Sequence, residues 1–191
     1  MTRDAETRFF ASRDAWAAWL ADEHERSDGV WLKIAKKAAG VDSVSYAEAL
    51  EVALCYGWID GQKRPFDDDH WLQRFTARKP RSRWSKVNRA KAQELVEQRR
   101  MMPAGLREIE RAKADGRWDA AYEGQSAATV PDDLRLALED NERAHAFFAT
   151  LDSRNRYAIL YRVQDAKKPE TRARRIEKYV AMLAEHQTIH P

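Results

Sequence analysis

The sequence predicts an α+β protein, with a small mixed or antiparallel sheet and helices in the N-terminal half and an all-helical C-terminal half. Up to about residue 85, runs of alternating apolar and polar residues lie between Gly and Pro, as in strands. From Ser85 onward, apolar residues recur three to four apart, as in helices. A chain of 191 residues with 43% hydrophobic content and seven Trp can bury a real core. We therefore expect an α+β domain over residues 1–85 and a helical domain over residues 86–191, packed against the first.

The first predicted elements are a helix and a strand. Ser12 opens a helix in which Trp16, Trp19 and Leu20 are spaced to form one apolar stripe. Residues 30–35, V-W-L-K-I-A, then alternate as a strand whose apolar side is directed at the core. The N-terminal half thus begins with an amphipathic helix followed by a half-buried strand.

A buried helix and two strands follow. Ser45 and Glu48 form a capping box that begins a helix, and Gly57 suits the left-handed position at its end. The runs W-I-D-G-Q-K-R and D-H-W-L-Q-R-F-T-A-R, residues 58–64 and 69–78, predict a hairpin or two neighbouring strands. In the second run the pattern does not indicate which face is buried.

The remainder predicts successive helices. Ser85 can cap the first, and the next has Pro103 in its first turn and Gly116 just past its end. Further helices are expected after Pro131 and over residues 141–151, 153–166 and 169–185. The segment from Tyr122 to Thr129 is the only interior stretch that is typical of a flexible linker.

Charge is unevenly distributed along the chain. The 34 basic residues exceed the 31 acidic ones by only three. Residues 74–91, here called the basic segment, nevertheless contain eight basic residues and no acidic one. The rest of the chain is therefore slightly acidic, and the segment is a candidate surface for a negatively charged partner.

The cysteine content and the lack of long apolar runs bear on the cellular compartment. A single Cys excludes an internal disulfide framework, and the chain has neither a signal-peptide pattern nor an apolar run of 18 residues. We therefore expect a cytoplasmic protein without a transmembrane segment. Only His186 and His190 have ligand-like spacing, at a terminus, so we expect no metal site and no cofactor.

Several motifs in this order resemble the YdeI/OmpD-associated family, also called the bacteriocin-protection family. They are G-V-W-L-K-I-A-K-K, A-L-C-Y-G-W-I-D-G-Q, R-F-T-A-R-K-P-R-S-R-W-S-K-V-N, M-M-P-A-G, D-G-R-W-D-A-A-Y and A-K-K-P-E-T-R-A-R-R-I. The resemblance extends over roughly the whole chain. It implies an α+β N-terminal part, a helical C-terminal part and a link to bacteriocin or antimicrobial-peptide protection and stress. It implies no catalytic residues.

The leading functional hypothesis is a non-enzymatic module that binds an anionic ligand, either a small molecule or a phosphate-bearing partner, with nucleic acid as one candidate. Arginine forks and free amides at the start of the helix after Ser85 can converge on one anion, and an exposed Trp offers a stacking face for a nucleic-acid base. The predicted site comprises Trp58, Lys63, Arg64, Arg81, Arg83, Trp84, Lys86 and Arg89. An ordinary solvated charged face remains an alternative.

Two other hypotheses remain open. Asp60, beside Gly61 in an expected tight turn, is either a turn residue that accepts backbone hydrogen bonds or the general base of an enzyme acting on a small anionic substrate. The protein can also serve in protein interactions during stress protection. Cys55, on an almost wholly apolar helix, is interpreted as a buried, inert thiol.

Overall fold

The computed structural model describes residues 6–124 and 128–191, so part of the predicted Tyr122–Thr129 linker and the first five residues lie outside the described chain. The α+β prediction is confirmed, since the strands lie in the N-terminal half and helices dominate the C-terminal half. The chain forms two compact units, the first ending at Ala121 and the second beginning at Tyr122. This division falls later than the predicted boundary at residue 85, because Trp84 and Leu95 pack with Leu54 in one core cluster of the first unit.

The secondary structure of the first unit combines strands and helices. In chain order its elements are β1 (Thr7–Phe9), α1 (Arg13–Glu23), β2 (Val30–Ala35), α2 (Tyr46–Cys55), β3 (Trp58–Pro65), β4 (His70–Ala77), α3 (Lys86–Glu97) and α4 (Pro103–Ala114). The helices of the second unit are α5 (Asp132–Glu139), α6 (Glu142–Thr150), α7 (Ser153–Asp165) and α8 (Pro169–Ala184).

The four strands form one mixed sheet in the order β1-β2-β4-β3. β1, which the sequence pattern did not predict, is parallel to β2, whereas the other two pairings are antiparallel. Residues opposite each other across a pair share a face of the sheet. Val30 is opposite Phe75, and both are buried; Trp31 is opposite Arg74, so these two share the other face.

The first helix and α2 cover the inner face of this sheet. The predicted Trp stripe of α1 is buried there, with Trp16 fully inaccessible and its ring centroid 5.6 Å from that of Phe75. The capping box at Ser45 is present, since its hydroxyl accepts from the Glu48 amide while the Glu48 carboxylate accepts from the Ser45 amide. This packing leaves the opposite face of the sheet free of α1 and α2.

The end of α2 is also the place where α4 approaches most closely. Gly57 has a φ of +72°, the left-handed conformation predicted for it. A Cβ atom on Gly105 of α4 would lie 2.3 Å from the Cys55 carbonyl oxygen, so only glycine permits this contact. The two helices are thereby fixed together around Cys55.

The second unit has its own apolar core. It is built from all four helices, with Leu134, Leu138, Phe148, Ile159 and Leu183 among its buried residues. Among the described residues, no helix of either unit is both long enough and apolar enough to traverse a bilayer.

Candidate anion-binding surface

The predicted ligand residues do not form one cluster. Lys63 and Arg64 lie in β3, where Arg64 is opposite Leu72 near the start of β4. Arg81 and Arg83 follow the other end of that strand, beyond Ala77. Five residues of extended chain between Leu72 and Ala77 span about 16 Å. The length of β4 therefore separates Lys63 and Arg64 from the point where the chain carrying Arg81 begins.

The two tryptophans that were predicted to frame the site are buried. Trp58 and Trp84 are each 1% exposed. The Trp58 indole Nε1 donates to the His24 carbonyl at 3.1 Å, and the Trp84 ring lies edge-to-face against Trp118 with centroids 4.9 Å apart. Neither ring offers a face to a ligand from solvent, because both serve as core residues.

Most cations of the basic segment beyond β4 are engaged within the protein. The guanidinium carbon of Arg78, a residue only 5% exposed, lies 3.5 Å from the Trp84 ring centroid, and its Nη1 donates to the Arg83 carbonyl at 3.1 Å. Arg89 Nη1 donates to the Trp118 carbonyl at 3.1 Å. The side chain of Arg81 is exposed. Arg83 and Lys86 each already have a partner.

The predicted start of α3 is present, and its cap uses part of the proposed anion site. Ser85 Oγ accepts the amide of Asn88 at 3.1 Å, as expected for an N-cap. The Ser85 carbonyl accepts the amide of Arg89. Of the amides at the helix start that could face an anion, that of Asn88 is thus already bonded to the cap, and the Arg89 amide belongs to the regular helical bonding.

A different set of cations lies on the face of the sheet away from α1 and α2. We call this the outer sheet face and define it by Trp31, Lys33, Arg64, Leu72 and Arg74, which the strand register places on one side. Leu72 belongs to this side of the sheet and is therefore not part of the apolar core on the inner face. It is nevertheless only 1% exposed. The outer sheet face therefore combines an apolar base with cationic side chains above it.

Trp31 is the centre of that face. The guanidinium carbon of Arg64 lies 4.2 Å from the Trp31 ring centroid, and that of Arg74 lies 5.9 Å from it. Cation–π contacts of this kind position a guanidinium without neutralising its charge. Within the described residues neither arginine has an ion pair, although the negative charge of Asp28 acts on Arg74.

Arg74 shows an unmet hydrogen-bonding capacity. Its Nη1 is buried and has no hydrogen-bond partner among the described residues. Burial lowers the pKa of Arg74, and Asp28 acts in the opposite direction. Trp19 Nε1 and Arg111 Nε share this state among the described residues, so the unpartnered donor does not by itself mark a ligand site.

The hairpin end of the outer sheet face is partly neutralised. Lys33 Nζ lies 3.4 Å from Asp67 and 4.7 Å from the centroid of the Phe66 ring. Although desolvation opposes it, hydrogen bonds from the His70 side chain, from the amides of Asp69 and His70, and from Lys33 lower the pKa of Asp67 to about 2. The free positive charge is therefore concentrated at Arg64 and Arg74.

Asp60 occupies a strand instead of the expected tight turn. It is opposite Phe75 in β3, and the register shifts by a bulge between Asp60 and Lys63. Its carboxylate accepts the phenol of Tyr46 at 2.9 Å, which ties the start of α2 to the sheet. Burial, together with the negative charge of Asp60, raises the pKa of Tyr46. That Asp60 acts as a general base stays a prediction. The contact observed here links two elements of the fold.

Two other candidate groups can be placed. Cys55 is 5% exposed, and burial raises the pKa of its thiol, which disfavours the reactive thiolate. Within residues 6–124 and 128–191, no three His, Cys, Asp or Glu side chains are grouped so that they could hold a metal ion.

Sequence reasoning missed Trp31, Lys33 and Arg74 as candidate ligand residues. The alternation of β2 already placed Trp31 and Lys33 on the side opposite the apolar one. The missing information was the pairing of β2 with β4, which brings Arg74 beside Trp31. A non-local pairing of this kind has no signature in either strand alone.

The fold and the surface together define a two-unit α+β protein with a cation-rich sheet face. Residues 8–108 match a family described as a domain of unknown function (DUF8412), and the chain belongs to this family. Residues 127–186 match the family described as "Bacteriocin-protection, YdeI or OmpD-Associated". This match confirms the recognised resemblance and places it in the helical unit, whereas the N-terminal motifs fall in the DUF8412 range. No curated protein and no solved structure matches the chain.

Proposed function

We propose that this protein is a non-enzymatic binding module that holds single-stranded nucleic acid on its outer sheet face. The observation that carries the proposal is that the guanidinium groups of Arg64 and Arg74 both lie close to the Trp31 ring. Single-strand binders combine cations that follow the phosphates with flat groups on which bases stack. Arginine planes and aromatic rings both serve as such flat groups.

The neighbouring side chains suit the same ligand. Phe9 and Phe66 are 43% and 50% exposed, and Phe66 lies against Lys33. The strand register places Phe9 opposite Lys33, on the outer side of the sheet. Exposed aromatic rings thus lie beside Lys33, two residues along β2 from Trp31, where further bases of an extended strand can stack.

The charge of the outer sheet face also bears on the link to bacteriocin protection. The matched family's description supplies that link, and we carry it to this chain as part of the proposal. A cationic face repels cationic peptides, so we propose that any protective role proceeds through an anionic ligand and not through capture of the peptide. A cytoplasmic location and a role in stress belong to the same proposal.

The proposal is tested by titrating a fluorescein-labelled 15-nucleotide single strand with the full chain and measuring anisotropy at several salt concentrations. The variant carries Arg64→Gln and Arg74→Gln. The matched control carries Lys79→Gln and Arg81→Gln, two exposed cations beyond β4, so both proteins lose the same charge.

We expect the Arg64/Arg74 variant to bind at least tenfold more weakly than the control. Its plot of log affinity against log salt should be less steep by about 1.4, because each lost phosphate contact on a single strand removes about 0.7. Equal losses in the two variants would show that only net charge matters. Absence of salt-dependent binding by the unaltered protein would refute the proposal outright.

A further inference from the structure

A second candidate site lies within the helical unit and is separate from the outer sheet face. A half-open cleft of about 230 Å³ is formed by residues of α5, α6 and α7 together with the chain just before α5. Its lining residues are Val130, Arg135, Leu138, His145, Phe148, Ala149 and Arg156. All of these residues belong to one compact unit.

The floor of the cleft is apolar and rigid. Leu138 and Phe148 are 1% and 4% exposed and belong to the core of the unit, while Val130 and Ala149 complete the walls. On α6, Phe148 and Ala149 follow His145 by three and four residues, so all three share one face of that helix. A buried floor with a fixed shape can take up an apolar group without reorganisation.

The rim of the cleft is positively charged. Arg156 places its guanidinium carbon 4.5 Å from the centroid of the Phe148 ring. Within the described residues Arg156 has no ion pair, and Asp152, one turn earlier on the same chain, uses its carboxylate to accept the Asn155 amide at 2.7 Å. Among the residues that the structure describes, no carboxylate lines the cleft. A cation without a counterion therefore stands beside an apolar floor.

The other two basic residues of the cleft, Arg135 and His145, differ in how they can interact with a ligand. Arg135 is held by Glu139 at 2.8 Å and lies 3.5 Å from Asp132, so most of its charge is compensated. His145 is exposed at the rim and can donate a hydrogen bond. The polar end of a ligand is consequently directed at Arg156, with His145 as a second donor.

We propose that this cleft binds a small amphipathic carboxylate, with its ring or alkyl chain between Val130 and Ala149, above the buried Leu138 and Phe148, and its carboxylate at Arg156. The volume restricts the apolar part, since a cavity of about 150 Å³ lined by similar side chains holds benzene. A single aromatic ring or a chain of about six to eight carbons therefore matches the cleft.

The inference is tested by NMR titration of the ¹⁵N-labelled full chain with sodium octanoate, sodium hexanoate and octan-1-ol. We expect saturable shifts confined to amides around residues 130–156. Octanoate should bind more tightly than hexanoate by about fourfold for each additional buried methylene. It should also bind more tightly than octan-1-ol, which lacks the charge.

Two variants separate the charge from the apolar floor. Arg156→Gln should weaken octanoate at least tenfold, the fold-change expected for losing a charge-assisted hydrogen bond, and leave octan-1-ol within twofold. Ala149→Leu should fill the cleft and weaken both ligands. Arg154→Gln, which removes an exposed arginine of α7 outside the lining, is the matched control.

Several results would overturn the inference. Equal weakening by Arg156→Gln and Arg154→Gln would show that only net charge attracts octanoate. Equal affinity of the unaltered protein for octanoate and octan-1-ol, or shifts spread through both units, would exclude a built carboxylate site. Each variant is compared only after circular dichroism shows the unaltered helix content. A loss of nucleic-acid binding by the outer sheet face has no bearing on these outcomes.

Discussion

The basic segment beyond β4 and the outer sheet face use the same residue types for opposite purposes. In the segment, Arg78 is buried against Trp84 and Arg89 donates to the Trp118 carbonyl, so these cations hold the loop to the core. On the outer sheet face, Arg64 and Arg74 lie close to the Trp31 ring, and within the described part of the chain neither forms an ion pair. The density of cations along a sequence is therefore a poor guide to where positive charge is available. A cationic side chain is available to a ligand only where backbone carbonyls and aromatic rings of the fold do not already occupy its donors.

The largest expected effect is on stability and concerns Arg78, a buried cation of the basic segment. Arg78→Ala should lower the free energy of unfolding by about 3 kcal/mol, because it removes a desolvated cation–π contact and a hydrogen bond to the Arg83 carbonyl. Urea unfolding followed by circular dichroism measures this change. Arg81→Ala is the control, and as an exposed substitution it should stay within about 0.5 kcal/mol.

The comparison would fail if the two arginines behaved alike. A stable Arg78→Ala protein that also lost affinity for the single strand would make the basic segment a binding surface, as the sequence alone suggested. We expect the reverse, because the folded variant retains Arg64 and Arg74.

The second expected effect concerns ligand binding by the outer sheet face. Trp31→Ala should weaken single-strand binding by about 1–3 kcal/mol if one base stacks beside it, with a smaller change in stability. Trp71→Ala is the matched control, since Trp71 is also half-buried but lies opposite Ile34, on the inner side of the sheet. Anisotropy titrations of both proteins should separate them. Equal losses would mean that the outer sheet face has no special role.

These two regions also show what the sequence can predict. Local signals located most elements, since the capping box at Ser45, the left-handed Gly57 and the Ser85 cap each depend on neighbouring residues. β1 was missed because three residues carry too little pattern. The outer sheet face was not predicted, because its members meet only through the β2–β4 pairing. The buried positions of Trp58 and Trp84 likewise depend on long-range packing.

A third, smaller effect tests the structural role of Asp60. Tyr46→Phe should lower the free energy of unfolding by about 1 kcal/mol near neutral pH, because it removes the hydrogen bond to the Asp60 carboxylate. The raised pKa of Tyr46 means that the folded state retains the phenol proton after the unfolded state has lost it. The stabilisation is therefore complete below about pH 10, the ordinary Tyr pKa, and declines above it.

Unfolding midpoints of the unaltered protein and of Tyr46→Phe at pH 8, 10 and 11 provide this measurement. The gap between the two proteins should narrow at pH 11. A gap that stayed constant would show that the phenol is not hydrogen-bonded to Asp60 in solution. Asp60 would then be free for the general-base role that the sequence left open.

The smallest expected effect lies at the hairpin end of the outer sheet face. Because the pKa of Asp67 is lowered to about 2 in the folded protein, its carboxylate stabilises the fold above the unfolded pKa of about 4. This contribution is lost as the pH falls from about 4 towards 2, when protonation also removes the partner of Lys33. Urea midpoints at pH 5, 4, 3 and 2.5 should therefore fall more steeply for the unaltered protein than for Asp67→Asn. Parallel curves would show that the His70 and backbone hydrogen bonds do not hold this carboxylate, and that Lys33 adds a free charge to the face.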